Sequence, residues 1–227
     1  MAALGILLRR AGMCPYPATE DKPELDESLV LCNGIKSDGA SYVIVPNFTF
    51  KRDDTIIINY SGYDVSTMQL VFGARTSEKG VFWGIEINQR SYFGEFSKSG
   101  TEIYAQNIAG FNQPNTIFKT DVGYSSSAGG VRRRFYINDI GQKGTMPGDV
   151  DETLTHNLFV LTSNVAGTQD TDSRYFQGVM HSFKVISYAG EDKLSLLPST
   201  KNGIPGMYDE VSKAFYSNAG GGKLIVL

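Results

Sequence analysis

Apolar residues in this chain recur at every second position, in short runs separated by clusters of Gly, Asn, Ser and Asp, and no stretch of ten or more residues keeps a helical spacing. Alternate side chains of an extended segment point to opposite faces, so this pattern specifies strands and turns. Val81, Trp83, Ile85 and Ile87 share one face of such a segment, with Phe82, Gly84, Glu86 and Asn88 on the other, which reads as a half-buried strand. The same reading makes strands of Ser41 to Val45, Thr55 to Tyr60, Gln69 to Ala74, Arg134 to Asn138 and Asn157 to Thr162, and of the long stretch from Phe176 to Tyr188. The segments TIIINY and NLFVLT are apolar on both faces, as strands covered on each side must be. Strand following strand across short turns predicts an all-β, antiparallel sandwich of two sheets. One short helix is expected from Pro23 to about Leu31, with Glu24 and Asp26 at its positive end. Ser125 to Gly130 reads as a hairpin tip.

A single sandwich accommodates most of the 227 residues. The polar, proline-dotted stretch Cys14 to Glu27 reads as a tether, dividing residues 1–27 from a sandwich domain at 28–227. A net charge of −3 lacks the basic excess of a nucleic-acid binder. The apolar run Ala2 to Leu8 precedes Arg9 and Arg10, the reverse of a secretory signal, and is too short to cross a bilayer. Either it forms the first strand of the domain's own sheet, or it docks into a neighbouring subunit. In the second case Leu4, Ile6, Leu7 and Leu8, ending in Arg9 and Arg10, form an assembly anchor. Each of its large apolar side chains is worth roughly 1.5 to 3 kcal/mol when fully enclosed.

The residues offer little catalytic machinery. Cleavage of a glycosidic bond needs two carboxylates, and Glu86 finds Asn88 rather than a second acid at i+2. Asp149, Asp151 and Glu152 read as a solvated loop; these acids, or Asp170 and Asp172, are weak candidates for a hard cation. Cys14 and Cys32 are too far apart for a zinc or redox pair, and the sequence leaves open whether they are free thiols or one disulfide. Of the two histidines, His156 and His181, neither has a nucleophile motif around it, and His181 alternates with Phe183 and Val185 as a core histidine does. No metal site, no cofactor and no enzyme activity are expected. For binding, Arg132 and Arg134 share a strand face with Tyr136 while Arg133 points the other way with Phe135. Such a face suits an anionic glycan or a carboxylate-rich partner, while solvated edge charges that discourage sheet-to-sheet aggregation are the commoner explanation of such an array. Tyr92, Phe93 and Phe96 are candidate sugar-stacking aromatics, whereas Trp83 belongs to the core.

The last fifty residues are the most specific. Phe176, Gly178, Phe183 and Val185 lead to Leu197 and Pro198, then to Gly203, Gly206, Tyr208 and Asp209, and finally to Phe215, Tyr216, Asn218, Gly220 and Gly222. This series resembles the ending of laminin-G-like, concanavalin A-like jelly-roll proteins of phage virions and of prophages in gut bacteria. LVFGAR at Leu70 to Arg75, FYIN at Phe135 to Asn138 and LFVLTSN at Leu158 to Asn164 extend the likeness, which covers roughly Asn33 to Leu227. The resemblance implies a jelly-roll fold and a non-enzymatic virion component, a head decoration or fibre above all. It would be made in the host cytoplasm and attached to capsid or tail proteins, as a homo-oligomer. The alternative is a carbohydrate-binding module of a receptor-binding tail protein that recognises host surface glycans through Tyr92, Arg132, Arg134 and Tyr136. Neither reading calls for nucleic acid or a membrane. Gly206 is expected to free the turn before Tyr208, and Asn218 with Gly220 to Gly222 to adopt positive φ where the chain returns to the sheet.

Overall fold

The computed structural model describes residues 28–62, 67–76, 80–85, 91–95, 103–105, 115–125, 130–141, 146–147, 153–165, 168–169 and 174–227. In chain order the strands are β1 (Leu29–Leu31), β2 (Ile35–Ser37), β3 (Val43–Lys51), β4 (Thr55–Ser61), β5 (Gln69–Arg75), β6 (Gly80–Ile85) and β7 (Ser91–Glu95). They continue as β8 (Ile103–Ala105), β9 (Thr116–Ser125), β10 (Gly130–Ile137), β11 (Ile140–Gly141), β12 (Met146–Pro147), β13 (Thr153–Val160), β14 (Asn164–Val165) and β15 (Thr168–Gln169). The last are β16 (Val179–Ile186), β17 (Asp192–Lys201), β18 (Ile204–Asp209), β19 (Phe215–Ser217) and β20 (Leu224–Val226). All pairings between these strands are antiparallel. One sheet runs β11-β10-β9-β4-β16-β17-β18-β19, with β1 on β17, β12 on β10, and β2 joining β16 to β20. The other runs β3-β13-β5-β6-β7-β8.

The two sheets meet through aromatic pairs. Trp83 of β6 stacks on Phe118 of β9 with ring centroids 4.0 Å apart, Phe72 of β5 meets Phe183 of β16 edge-on at 5.2 Å, and Phe93 of β7 meets Phe135 of β10 at 5.5 Å. Such contacts add about 0.5 to 1.5 kcal/mol each beyond the burial of their area. As expected, β4 and β13 are interior strands, flanked by β9 and β16 and by β3 and β5 respectively, but β4 is not covered on each side: Thr55, Ile57, Asn59 and Ser61 on its outer face are only half-buried.

Several expectations are corrected. β6 is buried on both faces, because Phe82 packs with Leu70 and under the Arg75 guanidinium, 4.5 Å from the ring centroid, on the side away from the main core. The helix expected to reach Leu31 does not form over its described part: Leu29, Val30 and Leu31 pair with Lys201, Thr200 and Ser199 as strand β1, so tertiary pairing overrides the local helix-start signal. Pro198 lies inside a strand, a position where a residue without an N–H is tolerated only at an edge or where no donor is needed. β17 continues to Lys201, since a residue's N–H and C=O point to one side of an antiparallel strand. That side of Pro198 faces Cys32, just past the end of β1, whose N–H donates to the Pro198 carbonyl at 2.8 Å. The sharp turn that follows uses Asn202 and Gly203, with φ of 52° and 76°, the left-handed pair that a two-residue hairpin requires.

The terminal glycines act by close approach rather than by positive φ. Gly206 lies within β18, where a Cβ would fall 2.4 Å from the Tyr216 carbonyl oxygen. A Cβ on Gly220 would fall 2.2 Å from the Ala40 carbonyl oxygen, and one on Gly222 2.1 Å from Asp38 Oδ1, whereas Gly221 has nothing within 4 Å. Asn218 organises this loop through its side chain, donating from Nδ2 to the Gly222 carbonyl at 2.6 Å and accepting at Oδ1 from the N–H groups of Gly220 and Tyr42. Opposite it, the Lys223 N–H donates to Asp38 Oδ2 at 2.6 Å and holds that carboxyl below the usual carboxylate range.

Candidate functional site

The register of the β9–β10 hairpin places Arg132 opposite Gly123, Arg134 opposite Asp121 and Tyr136 opposite Lys119, all on the outer face. Arg134 Nε donates to Asp121 Oδ1 at 2.8 Å, and Lys119 Nζ reaches Asp121 Oδ2 at 3.2 Å. The guanidinium lies flat across β9, 2.5 Å from where a Gly123 Cβ would stand, so the glycine makes room for it. The Lys119 ammonium and the Arg134 guanidinium lie 5.2 and 5.9 Å from the Tyr136 ring centroid. Three of the four glycan-contact residues expected from the sequence therefore share one face, with Arg134 already committed to Asp121. Tyr92 is on β7 of the other sheet and does not join them.

Arg133 points inward as the strand period requires, but it is not a solvated charge. It is 1% exposed and donates to the carbonyls of Asp54 and Arg52 and to Thr120 Oγ1, with Phe93 5.5 Å from its guanidinium. Buried guanidinium groups persist where such acceptors replace water. Arg133 thus ties β10 to the turn between β3 and β4.

That turn builds a second site, which sequence reasoning missed. Asp54 is buried. Its Oδ2 accepts from the Lys51 N–H at 2.7 Å and from Lys193 Nζ of β17 at 2.5 Å. Burial raises its pKa above the ordinary carboxylate value against the opposing pull of Lys193. Above this pair lies a cleft of about 470 Å³ lined by Lys51, Asp53, Ser187, Tyr188, Ala189, Glu191 and Lys193. Tyr188 sits in the β16–β17 turn with 73% of its surface exposed. The turn itself is well held: Gly190 N–H donates to the Ser187 carbonyl at 2.9 Å, Ser187 N–H to the Glu191 carbonyl at 2.8 Å, and Glu191 N–H to Ser187 Oγ at 3.1 Å. The cleft thus presents an aromatic face beside two carboxylates and two ammonium groups, groups that hydrogen-bond hydroxyls and pack against C–H surfaces.

His181 does not share the inward face of Phe183 and Val185. The register of β16 against β4 shifts between Met180 and Ser182, and the imidazole turns outward to bond Ser61 Oγ and the Asn33 carbonyl. His156 approaches Asn164 Nδ2 at 3.3 Å, in a network that joins β13 to β5. Cys32 is a partly exposed free cysteine. The anchor residues Leu4, Ile6, Leu7, Leu8, Arg9 and Arg10 lie outside the described residues, as do Cys14, Glu86, Phe96, Asp149 to Glu152, Asp170 and Asp172.

Two facing antiparallel sheets of this connectivity define a concanavalin A-like jelly-roll sandwich. No protein-family model and no curated protein matches the sequence. Among solved structures, a candidate carbohydrate-binding protein from Bacteroides ovatus superposes with a TM-score of 0.56 at 9% identity, over 87% of this chain and 60% of that one. The chain thus spans less than two thirds of that protein. Domains LG4-5 of the mouse laminin alpha1 chain match with a TM-score of 0.48 at 12% identity, over 88% of this chain and 51% of that one. A heptameric SAP-like pentraxin from Limulus polyphemus gives 0.45 at 12% identity, over 70% and 76%. At such identities the likeness is one of fold.

Proposed function

We propose that this chain is a non-enzymatic carbohydrate-binding sandwich displayed on a phage particle. The observation that carries the binding half is the cleft between the β3–β4 and β16–β17 turns, where exposed Tyr188 stands beside Asp53, Glu191, Lys51 and Lys193, the last paired with buried Asp54. Tyr188 offers a stacking surface for a sugar ring, and the carboxylates accept hydrogen bonds from its hydroxyls. The fold shared with the Bacteroides ovatus protein is in keeping with this use, although a fold hosts many functions. The setting rests on the sequence: the ending from Phe176 to Gly222 resembles that of virion jelly-roll proteins, and the apolar tip from Leu4 to Leu8 suits docking into a capsid or tail protein. Copies arrayed on a particle gain avidity from weak individual contacts.

The test is a glycan array probed with the purified chain. Saturable binding is expected, weakened about two- to twelve-fold in Tyr188→Ala if stacking on a sugar is worth what an aromatic pair is worth. Binding lost in Arg134→Ala but unchanged in Tyr188→Ala would move the site to the β9–β10 face, and binding to no glycan would overturn the proposal. For the setting, a phage whose copy lacks Met1 to Arg10 should assemble particles without this protein; unchanged incorporation refutes the anchor.

A further inference from the structure

Ser61 ends β4, and its Oγ lies 2.8 Å from Nε2 of His181 on β16. On the other side of the ring, Nδ1 lies 2.6 Å from the Asn33 carbonyl oxygen. A carbonyl only accepts, so Nδ1 carries the proton; Nε2 of the neutral ring is then the acceptor, and the Ser61 hydroxyl is its donor. This is the order of groups found wherever a hydroxyl is activated by a base that a third group orients.

Three local features produce the arrangement. The register shift between Met180 and Ser182 puts a bulge at His181 and aims its ring away from the core, a use to which bulges are often put beside reactive groups. Gly34 lets the Asn33 carbonyl approach: a Cβ there would fall 2.4 Å from Val179 Cγ1 and 3.2 Å from His181 Nδ1. Gly62, with φ of 49°, turns the chain immediately after Ser61 and leaves that residue at the strand end rather than inside the sheet. Both side chains are only partly buried, on the outer face, away from the cleft.

We propose that Ser61 is a base-activated nucleophile that accepts an acyl group from an activated ester. Ser61 Oγ attacks the ester carbonyl carbon as His181 Nε2 takes the hydroxyl proton. The tetrahedral adduct collapses by breaking the bond to the leaving oxygen, which departs with that proton as the free alcohol or phenol. Ser61 is left as an ester and His181 as the neutral ring. The Asn33 carbonyl keeps Nδ1 protonated throughout and steadies the cationic ring formed midway. This reactivity is independent of carbohydrate binding at the cleft.

The experiment uses the full chain and p-nitrophenyl acetate, with peptide mass mapping to locate acetyl groups and release of p-nitrophenol to time the reaction. Ser61 is expected to be acetylated faster than the other serines, with the Ser61 adduct absent in Ser61→Ala. In His181→Gln the rate at Ser61 should fall tenfold or more, general-base assistance contributing about 10²- to 10⁴-fold. Thermal unfolding of each variant identifies any that fails to fold, and Ser61→Thr, which keeps a hydroxyl in place, should retain labelling at residue 61. A Ser61 acetylated no faster than its neighbours, or at the same rate in folded His181→Gln, overturns the proposal.

Discussion

Replacing Asp209 by alanine tests whether the GxxGxYD stretch builds the fold rather than a ligand site. The Asp209 carboxylate is 2% exposed. Its Oδ1 accepts from the N–H groups of Ser195 at 2.9 Å and Val211 at 3.1 Å, and its Oδ2 from Ser212 N–H at 3.1 Å and Ser212 Oγ at 2.5 Å. The Ser195 N–H is buried in β17 and has no route to water, so losing its charged acceptor costs about 1.5 to 3 kcal/mol. The donors of the 210–213 turn are nearer solvent and recover part of their loss by hydration, at about 0.5 to 1 kcal/mol each. The sum, about 3 to 6 kcal/mol, is a large fraction of a domain's stability. Asp209→Asn keeps one oxygen for Ser195 and Val211 but turns an amide donor toward the Ser212 donors, and an intermediate loss is expected. The assay is urea unfolding followed by the fluorescence of Trp83, the chain's single tryptophan, which is fully buried against Phe118. The midpoint should fall with little change in slope. A loss below about 1 kcal/mol for Asp209→Ala would refute this reasoning, since no buried donor could then depend on the carboxylate.

The glycine loop offers a paired test: Gly220→Ala drives a Cβ against the Ala40 carbonyl and should cost about 1 to 3 kcal/mol, while Gly221→Ala, facing open space, should stay within about 0.5 kcal/mol in the same unfolding assay. Equal effects at the two positions would refute the close-approach account. Asp54 supplies a pH test. Its folded pKa is raised by burial, so the stability it contributes is present below the unfolded carboxylate value and is lost as pH rises through the folded one. Relative to Asp54→Asn, the wild type should therefore gain stability on acidification from neutrality toward pH ~4; the opposite trend would show that the Lys193 pair outweighs desolvation. Asp38 has the opposite sign, its pKa being lowered chiefly by the Lys223 N–H. Its contribution is present above the unfolded value and lost as pH falls through the folded one, and the protection of the Lys223 amide relative to its intrinsic exchange rate should fall there.

Alternation of side chains is a local property, which is why strands, central positions and the inward turn of Arg133 were legible without coordinates. Turn chemistry was legible only in part, because a glycine needed for positive φ and one needed for a neighbour's close approach look the same in sequence. Gly203 is the first kind, Gly206, Gly220 and Gly222 the second. The fate of Leu29 to Leu31 depended on an open flank of β17 that no nearby residue reports. The outer face of Arg132, Arg134 and Tyr136 followed from strand period alone, but its ion pair with Asp121 depended on hairpin register. The amino-acid order thus determined an all-β sandwich and which residues of an unbulged strand, such as Arg133 and Phe135, turn inward, since those follow from a repeat of two along one strand. Only the tertiary structure decided that Asp54 meets Lys193 beneath Tyr188 and that His181 meets Ser61, because such contacts arise where strands distant in sequence are laid side by side, and a single bulge is enough to redirect a side chain.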